Sequence, residues 1–283
     1  MNFGGLDNIY TNFIQSKIAV LPVPYDGTST WIKGADKGPA AILDASANME
    51  LYDIETDSEV FKEGIYTADP VKEKSSPENM SKEVYKEVSR LLNQNKFIVT
   101  IGGEHSISIG AIRAHVEKFE NCSVLQIDAH TDLRPEYEGS KYNHACVMAR
   151  TREIAPFVQV GIRSMDTIEK PFIVSGNVFY AEDIRNGKPW MDEAIKQLTD
   201  NVYLTFDLDG FDPSIMSSTG TPEPGGLLWN ETIVFLRKVI KVKNLVGFDV
   251  VELCPNKVNK APDFLASKLI YKILSYKFSK RHP

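Results

Sequence analysis

The sequence predicts an α/β fold in which helices cover both faces of a mostly parallel sheet. Three observations support this prediction. Short apolar runs alternate with longer segments of helical periodicity along almost the whole chain. Most of the runs are continuously apolar, which is typical of parallel strands buried on both faces. No repeat, low-complexity tract or clear linker interrupts the alternation, so we expect a single domain over residues 1–283.

Eight runs have the length and composition of strands. In chain order they read KIAVLPV, EGIYTA, FIVTIGG, SVLQIDA, FVQVGI, NVFYA, VYLTFDLD and LVGFDVVE. Seven helices are predicted between and after them, at about residues 39–50, 78–94, 106–119, 145–154, 190–199, 230–243 and 262–277. Pro39 suits the first turn of the first helix. The polar stretch 69–81 is expected to form a surface loop before the second helix.

The composition is that of an ordinary globular protein, with 42% hydrophobic and 25% charged residues. The 32 basic and 38 acidic residues give a net charge of −6, which argues against a general nucleic-acid or membrane-surface binder. Cys122, Cys146 and Cys254 show no CxxC spacing and are expected to be reduced thiols. The N-terminus does not resemble a secretory signal, and no apolar run is long enough to span a membrane. We therefore expect a cytoplasmic protein.

Polar side chains collect where the predicted strands end. The carboxyl ends of parallel strands meet along one edge of a sheet, where ligands bind in open α/β folds. Four strand ends lead to candidate site residues: His105, Asp128, His130, Asp132, Asp207, Asp209 and Glu252.

Most of these residues lie in three short motifs, GGEHS, DAHTD and DLDGFDP. Each motif has an ordinary explanation when it is considered alone. DAHTD could be a surface turn, and GGEHS a glycine turn before a helix. DLDGFDP resembles an acidic loop or part of a calcium loop, although it lacks the later acidic ligand. Two of the five histidines nevertheless fall in these motifs, and all three motifs follow strands of the same predicted sheet. This coincidence predicts a metal site.

The number of candidate ligands predicts two metal ions rather than one. Two histidines and four aspartates exceed the four ligands that zinc usually takes. They suit two hard divalent ions that share bridging carboxylates, at a separation of about 3.5–4 Å. Carboxylate and imidazole ligands without a thiolate favour manganese over zinc or copper. Two dications would also explain why buried carboxylates can lie side by side, which is otherwise costly.

The motifs GGEHS, DAHTD and FDLDGFDP, in this order, resemble the metal signatures of the ureohydrolase family, which includes arginase and agmatinase. GADKGPAAIL and VGIRS resemble further segments of that family, so the resemblance covers nearly the whole chain. It implies a three-layer αβα domain with an eight-stranded parallel sheet, two Mn²⁺ ions per chain, and a homo-oligomer that is a trimer or a hexamer.

The resemblance also implies a role for each site residue. One manganese ion would be held by His105, Asp128, Asp132 and Asp207, and the other by His130, Asp128, Asp207 and Asp209. Asp128 and Asp207 would bridge the two ions. His144, in YNHACVM, matches the family's proton-shuttle histidine, and Glu252, in VVELCP, matches the carboxylate that holds the guanidinium. No ligand position is substituted.

These residues suggest a hydrolytic mechanism. Two divalent ions that share a water lower its pKa towards neutrality, and the resulting hydroxide would attack the guanidinium carbon. Glu252 would orient the planar cation through paired charge-assisted hydrogen bonds. Asp132 is a candidate to pass a proton to the departing amine. His144 would protonate the amine or exchange protons with bulk water.

The stretch LRPEYEGSKYNHA, after DAHTD, resembles agmatinases more than arginases, which hold the substrate carboxylate there with asparagine and serine. This predicts hydrolysis of agmatine to putrescine and urea, a step of polyamine biosynthesis. Arginine, guanidinobutyrate and formiminoglutamate remain alternatives, because Arg134 could receive a carboxylate. Arg134 could equally pair with Glu136 or Glu138.

Two alternatives come from other classes of protein. A two-metal phosphoesterase should place a basic cluster or a glycine-rich phosphate cradle beside the strand ends, and neither is evident. A non-catalytic metal-binding protein would need neither His144 nor Glu252. The sequence therefore favours a ureohydrolase.

Overall fold

The structure is a computed structural model that describes residues 1–279. Eight strands form one sheet: β1 (Ile18–Val23), β2 (Ile65–Thr67), β3 (Phe97–Gly102), β4 (Cys122–Ile127), β5 (Phe157–Ile162), β6 (Val178–Tyr180), β7 (Asn201–Asp207) and β8 (Asn244–Val251). The α-helices are α1 (Gly38–Ser46), α2 (Pro77–Leu92), α3 (Ser108–Lys118), α4 (Val147–Thr151), α5 (Ala181–Arg185), α6 (Met191–Gln197), α7 (Trp229–Val242) and α8 (Ala261–Phe278). Several short 3₁₀ turns lie between these elements.

Every strand pairing in the sheet is parallel, and the strand order is β2-β1-β3-β8-β7-β4-β5-β6. The predicted parallel sheet is confirmed, and all eight strands lie where the sequence placed them. Parallel strands need long crossover connections, which the helices supply. The chain builds one side of the sheet with β1 to β3 and the other with β4 to β6, and β7 and β8 then fill the centre.

Helices cover both faces of the sheet, so the three-layer αβα arrangement is also confirmed. One core contains buried side chains of α1, α7 and α8, such as Ile42, Phe235 and Ile270. The other core contains side chains of α2 and α3, such as Val84 and Ile112. Neighbouring residues of a strand point into opposite cores because side chains alternate along a strand. This two-sided burial explains the continuously apolar strands.

The seven predicted helices are present, with small differences at their ends. α1 ends at Ser46, four residues before the predicted end at 50. α2 begins at Pro77, where the Ser76 side chain accepts a hydrogen bond from the backbone N–H of Asn79. The sequence did not predict α5, which follows β6 directly and has only five residues. So short a helix shows little periodicity.

Candidate active site

The four motif-bearing strands are neighbours at the centre of the sheet, in the order β3-β8-β7-β4. Ile127 of β4 pairs with Phe206 of β7, and Asp207 of β7 pairs with Val251 of β8. Asp128 directly follows β4 and Glu252 directly follows β8, so both leave the same edge of the sheet as Asp207. The sheet topology thus brings together segments that lie more than a hundred residues apart in the chain.

His105 reaches the site through a tight turn after β3. A side chain at Gly103 would lie 1.9 Å from the backbone oxygen of Tyr25, so this position requires glycine. The turn places His105 in a 3₁₀ segment, His105–Ile107, before α3. Its Nδ1 atom lies 3.0 Å from Asp132 Oδ2, and Asp128 and Asp207 also approach it. The buried His105 ring therefore faces three carboxylates.

A buried hydrogen-bond chain holds the opposite edge of the His105 ring. His105 Nε2 lies 2.8 Å from the Thr205 hydroxyl, which donates to Asp249 Oδ1 at 2.7 Å. The Tyr203 hydroxyl donates to the other Asp249 oxygen. Because the Thr205 proton goes to Asp249, Thr205 accepts from Nε2–H of His105, and in the neutral ring Nδ1 carries the lone pair. The ring thus presents an acceptor nitrogen to the carboxylate cluster, as metal ligation requires.

The second histidine lies in the loop after β4. This strand ends at Ile127, two residues earlier than predicted, and the chain then turns, with Asp132 at a left-handed φ of 50°. His130 Nδ1 lies 3.1 Å from Asp209 Oδ2 and 3.5 Å from Asp128 Oδ1. Two groups of atoms that could hold a metal ion result, one of His105, Asp128 and Asp132 and one of Asp128, His130 and Asp209. They share Asp128.

Hydrogen bonds orient the central carboxylates, and in Asp207 and Asp209 they leave one oxygen for the cluster. Asp209 Oδ1 accepts from the backbone N–H of Ala129, while Asp209 Oδ2 faces His130. Asp207 Oδ1 accepts from the backbone N–H of Asp209, while its Oδ2 lies 3.3 Å from His105. Gln126 donates to Asp128 at 2.6 Å. The carboxylates are therefore oriented by groups that belong to the protein scaffold.

The protonation of the cluster reflects crowding of like charges in a buried place. Burial, aided by the charge of Asp128, raises the pKa of Asp132 to about 7. Burial and the charges of Asp209 and Asp128 raise the pKa of Asp207 well above its usual value. Burial alone would lower the pKa of His105, but the three nearby carboxylates outweigh it and raise that pKa. The cluster thus favours added positive charge.

These residues fit a pair of divalent ions. His105 Nδ1 is fully buried and has no hydrogen-bond partner, although three carboxylate oxygens surround it. A buried nitrogen without a hydrogen-bond partner destabilises the folded protein, and ligation of a cation would supply the missing partner. The oxygen and imidazole donors are those that hard divalent ions accept.

Arg163, from the VGIRS segment, ties together the backbone beneath His130 and Asp209. Its guanidinium donates to the backbone oxygens of Asp209 and Glu223 at 2.6 and 2.7 Å, and to that of Gly161 at 3.0 Å. The carbonyls of Gly210 and Phe211 are also within hydrogen-bond distance. Arg163 thus joins the end of β5 to the loops that follow β7.

Glu252 and His144 lie at the same cavity as the cluster. Glu252 leaves β8 with a left-handed φ of 69°, and its Oε1 accepts from the backbone N–H of His105 at 2.7 Å. His144 lies in a 3₁₀ segment, and its Nδ1 is 3.1 Å from the Thr28 hydroxyl. Burial, together with the nearby His105 and His130, lowers the pKa of His144 to about 4. His144 is therefore neutral near pH 7.

The cavity has a volume of about 320 Å³ and opens to solvent. Trp31, Ile32 and Met165 line it together with polar groups. Arg134 also lines it, but its guanidinium is 3.2 Å from Asp166 Oδ2 and lies over the Tyr137 ring at 4.4 Å. Arg134 therefore pairs with Asp166, and Glu169 lies 4.0 Å from it. The sequence had suggested Glu136 or Glu138 as its partner. An Arg134 already engaged in this way is poorly placed to receive a substrate carboxylate.

The structure brings together all the residues singled out from sequence: His105, Asp128, His130, Asp132, His144, Asp207, Asp209 and Glu252. Sequence reasoning missed the residues that support them, namely Thr28, Gln126, Arg163, Thr205 and Asp249. Three of these interrupt apolar strands, and a polar residue inside a buried strand is the signal that could have identified them.

Comparison with known proteins agrees with this geometry. A model for the arginase family matches residues 16–275. N(1)-aminopropylagmatine ureohydrolase of Synechocystis sp. is 38% identical over 94% of this chain and 90% of that protein. Agmatinase of Pyrococcus horikoshii is 34% identical over 90% of both chains. Agmatine ureohydrolase of Thermoplasma volcanium has a similar structure, with a TM-score of 0.86, 28% identity, and coverage of 98% of this chain and 94% of that one.

The sheet, the carboxylate–imidazole cluster at its carboxyl edge and these similarities define a ureohydrolase, a class of hydrolase that acts on a guanidino carbon–nitrogen bond. The chain belongs to the arginase family, whose members are binuclear metal enzymes. The two remoter interpretations, a phosphoesterase and a non-catalytic metal-binding protein, are therefore not supported.

Two further observations concern the chain as a whole. Cys122, Cys146 and Cys254 are free thiols. None of the helices within residues 1–279 is both long enough and apolar enough to cross a membrane.

Proposed function

We propose that this protein hydrolyses the terminal guanidinium of an agmatine-type polyamine, giving urea and the corresponding amine. The observation that carries this proposal is the convergence of two ligand groups around Asp128, with Glu252 and His144 at the same cavity. The relatives named above act on agmatine or on its aminopropyl derivative, according to their names. The engaged Arg134 also supports a substrate without a carboxylate.

We propose that two Mn²⁺ ions bind here, held by His105, Asp128, His130, Asp132, Asp207 and Asp209. When bound, such ions make water a nucleophile near neutral pH. Asp128 and Asp207 remain the predicted bridging residues. Oxygen and imidazole donors without a thiolate support manganese over zinc.

The remaining steps use side chains of this chain. Glu252 is one of the cavity's carboxylates and would pair with the guanidinium through charge-assisted hydrogen bonds, fixing its plane. Asp132 would take a proton from the attacking water and give it to the nitrogen that leaves. His144, which is neutral near pH 7, would protonate the leaving amine or exchange its proton with bulk water. The amine then departs, and urea remains.

Agmatine is the substrate that the sequence predicts, with putrescine as the product. N(1)-aminopropylagmatine is the second candidate, because the Synechocystis relative with that name is more similar to this chain than the Pyrococcus agmatinase. The two substrates share the guanidinium end and differ in the length and charge of the tail. Both tails are cationic, and the cavity has more carboxylates than cationic side chains.

The test is a product-release assay with purified, manganese-loaded protein. Agmatine, N(1)-aminopropylagmatine, arginine, guanidinobutyrate and formiminoglutamate are compared by kcat/KM, and a generic phosphate ester serves as the control. We expect urea from agmatine or its aminopropyl derivative, with kcat/KM at least about tenfold above that for arginine, which is about 1.4 kcal/mol of discrimination. Equal or higher kcat/KM for a carboxylate-bearing substrate would refute the proposal.

Three further features stay proposals. The described chain supports one ureohydrolase domain, although residues 280–283 of the predicted range lie outside the described residues. Free cysteines support a cytoplasmic location. The trimer or hexamer that the family resemblance implies can be measured by light scattering of the purified protein.

A further inference from the structure

Thr28 contacts His144 and is not part of the metal cluster. It lies in the loop after β1 and is 8% exposed. Its hydroxyl oxygen is 3.0 Å from the backbone nitrogen of His144 and 3.1 Å from Nδ1 of the same residue. The hydroxyl donates to Glu104 Oε2 at 2.5 Å. One side chain therefore connects His144 to a buried carboxyl group.

Glu104 belongs to the GGEHS segment, but no step of the reaction uses it. It is fully buried, and its other oxygen, Oε1, accepts a hydrogen bond from the Ser106 hydroxyl. Its backbone N–H donates to the oxygen of Tyr25 at 2.9 Å, which fixes the start of its side chain. Glu104 thus has a fixed position and, in its ionised form, accepts one hydroxyl hydrogen bond on each oxygen.

The Thr28 hydroxyl has a single proton, and where that proton points decides which ring nitrogen of His144 is protonated. A threonine hydroxyl has one proton and two lone pairs. The Thr28 proton points to Glu104, and one lone pair accepts from the backbone N–H of His144. The remaining lone pair can only accept, so His144 must present Nδ1–H to it. Nε2, on the other edge of the ring, then carries the lone pair.

We propose that Thr28, held by Glu104, is a positioning residue that fixes His144 in the Nδ1–H tautomer and leaves Nε2 to exchange protons in the cavity. This inference rests on the proposed function, in which His144 moves a proton. Nε2 takes up a proton from bulk water and releases it to the leaving amine nitrogen. Nδ1 keeps its proton throughout, so the protonation of Thr28 and Glu104 does not change.

The test uses two variants that differ in the hydroxyl group. Thr28→Val keeps the shape of the side chain but removes the hydroxyl, and Thr28→Ser keeps the hydroxyl. The ring nitrogens of ¹⁵N-labelled histidine are observed by NMR in the metal-free protein at pH 7.5, with a His144→Asn spectrum for assignment. We expect Nδ1–H in the wild type and in Thr28→Ser, and a shift towards Nε2–H in Thr28→Val.

Kinetics of the manganese-loaded enzyme give a second measurement. We expect Thr28→Val to lower kcat at least about tenfold with KM changed less than about twofold, because proton transfer is affected and binding is not. Thr28→Ser should keep most of kcat. Glu104→Gln tests the same link without altering Thr28. The Gln amide can donate to the Thr28 hydroxyl, so this variant should shift the His144 tautomer in the same direction as Thr28→Val.

Several results would overturn the inference. One is an Nε2–H tautomer in the wild type, and another is an unchanged His144 spectrum in both Thr28→Val and Glu104→Gln. Equal loss of kcat in Thr28→Ser and Thr28→Val would also refute it. The NMR measurement needs neither substrate nor metal, so a wild type that hydrolyses no guanidine would refute the proposed function and leave the tautomer result standing.

Discussion

Glu252 and Asp132 are held in left-handed backbone conformations, with φ of 69° and 50°. Such a conformation is unusual for a residue other than glycine and costs about 1–3 kcal/mol for a bulky side chain. Glu252 is kept there by its own N–H bond to the oxygen of Gly103 and by the His105 N–H bond to its Oε1. In these conformations both side chains line the cavity.

Replacing Glu252 by Gln should weaken substrate binding without loss of metal. Gln keeps an oxygen that can accept from the His105 N–H but removes the negative charge that pairs with the guanidinium. A charge-assisted hydrogen bond contributes on the order of 2 kcal/mol, so kcat/KM should fall by about 30-fold. Steady-state kinetics and elemental analysis of bound manganese would measure both effects.

Two further variants serve as controls for this prediction. Asp128→Asn should lose metal and activity together, because Asp128 belongs to both ligand groups. Asp44→Asn, at an exposed position of α1, should change neither. Near-normal kcat/KM in Glu252→Gln would remove Glu252 from substrate binding.

At the scale of elements, strand ends and loops position the site, and buried polar residues inside the strands support them. Gln126 of β4, Thr205 of β7 and Asp249 of β8 each interrupt an apolar strand. A polar group inside a parallel sheet is destabilising unless it is hydrogen-bonded. Here each polar side chain is bonded to a metal-site residue or to a group that contacts one.

Arg163 should matter for stability more than an exposed arginine does. Arg163→Met would leave the backbone oxygens of Asp209 and Glu223 without their donor. Each unsatisfied buried acceptor costs about 1–3 kcal/mol, so we expect a loss of at least about 2 kcal/mol. Equilibrium urea denaturation of the metal-free protein would measure the loss.

The matched control for Arg163 is Arg237→Met. Arg237 forms a more exposed ion pair with Glu55 at 2.7 Å, and such pairs contribute about 0–1 kcal/mol. If both variants lost the same stability, the structural role of Arg163 would be disproved. Arg163→Lys should fall between them, because one ammonium cannot reach as many carbonyls.

At the scale of the molecule, the metal-free protein should lose stability as the pH rises from about 4 to about 7. The folded-state pKa of Asp132 is raised to about 7 by burial and Asp128, and burial raises the pKa of Glu104 to about 7 as well. The folded protein then binds protons that the unfolded chain releases, so stability falls as the pH rises through the folded pKa. The lowered pKa of His144, caused mainly by burial, acts in the opposite direction, but only below about pH 6.5.

Manganese should remove the part of this penalty that comes from Asp132, because the cations replace its proton. The rise in melting temperature on adding Mn²⁺ should therefore increase between pH 5.5 and pH 8, as scanning fluorimetry would show. Mg²⁺ at the same concentration is a suitable comparison. A shift in melting temperature that does not depend on pH would contradict the proposed link between metal binding and the carboxylates.

Much of the fold could be predicted because its signals are local. Within residues 1–279, continuous apolar runs identified all eight strands, and helical periodicity identified seven of the eight α-helices. The exception, α5, is too short for its periodicity to be visible. The site residues could be identified for the same reason: Asp207 ends an apolar strand, Asp128 directly follows one, and His105 lies three residues after one.

The sequence by itself determined the elements, the likeness to a known family and the residues of the candidate site. Only the tertiary structure decided that β3, β8, β7 and β4 are neighbours, so that His105, Glu252, Asp207 and Asp128 meet at one edge. It also decided the hydrogen bonds that orient each ring and carboxylate, such as those of Thr28, Thr205 and Arg163. The physical reason is that propensity and periodicity act over a few neighbouring residues, whereas strand order and side-chain hydrogen bonds join residues about a hundred positions apart.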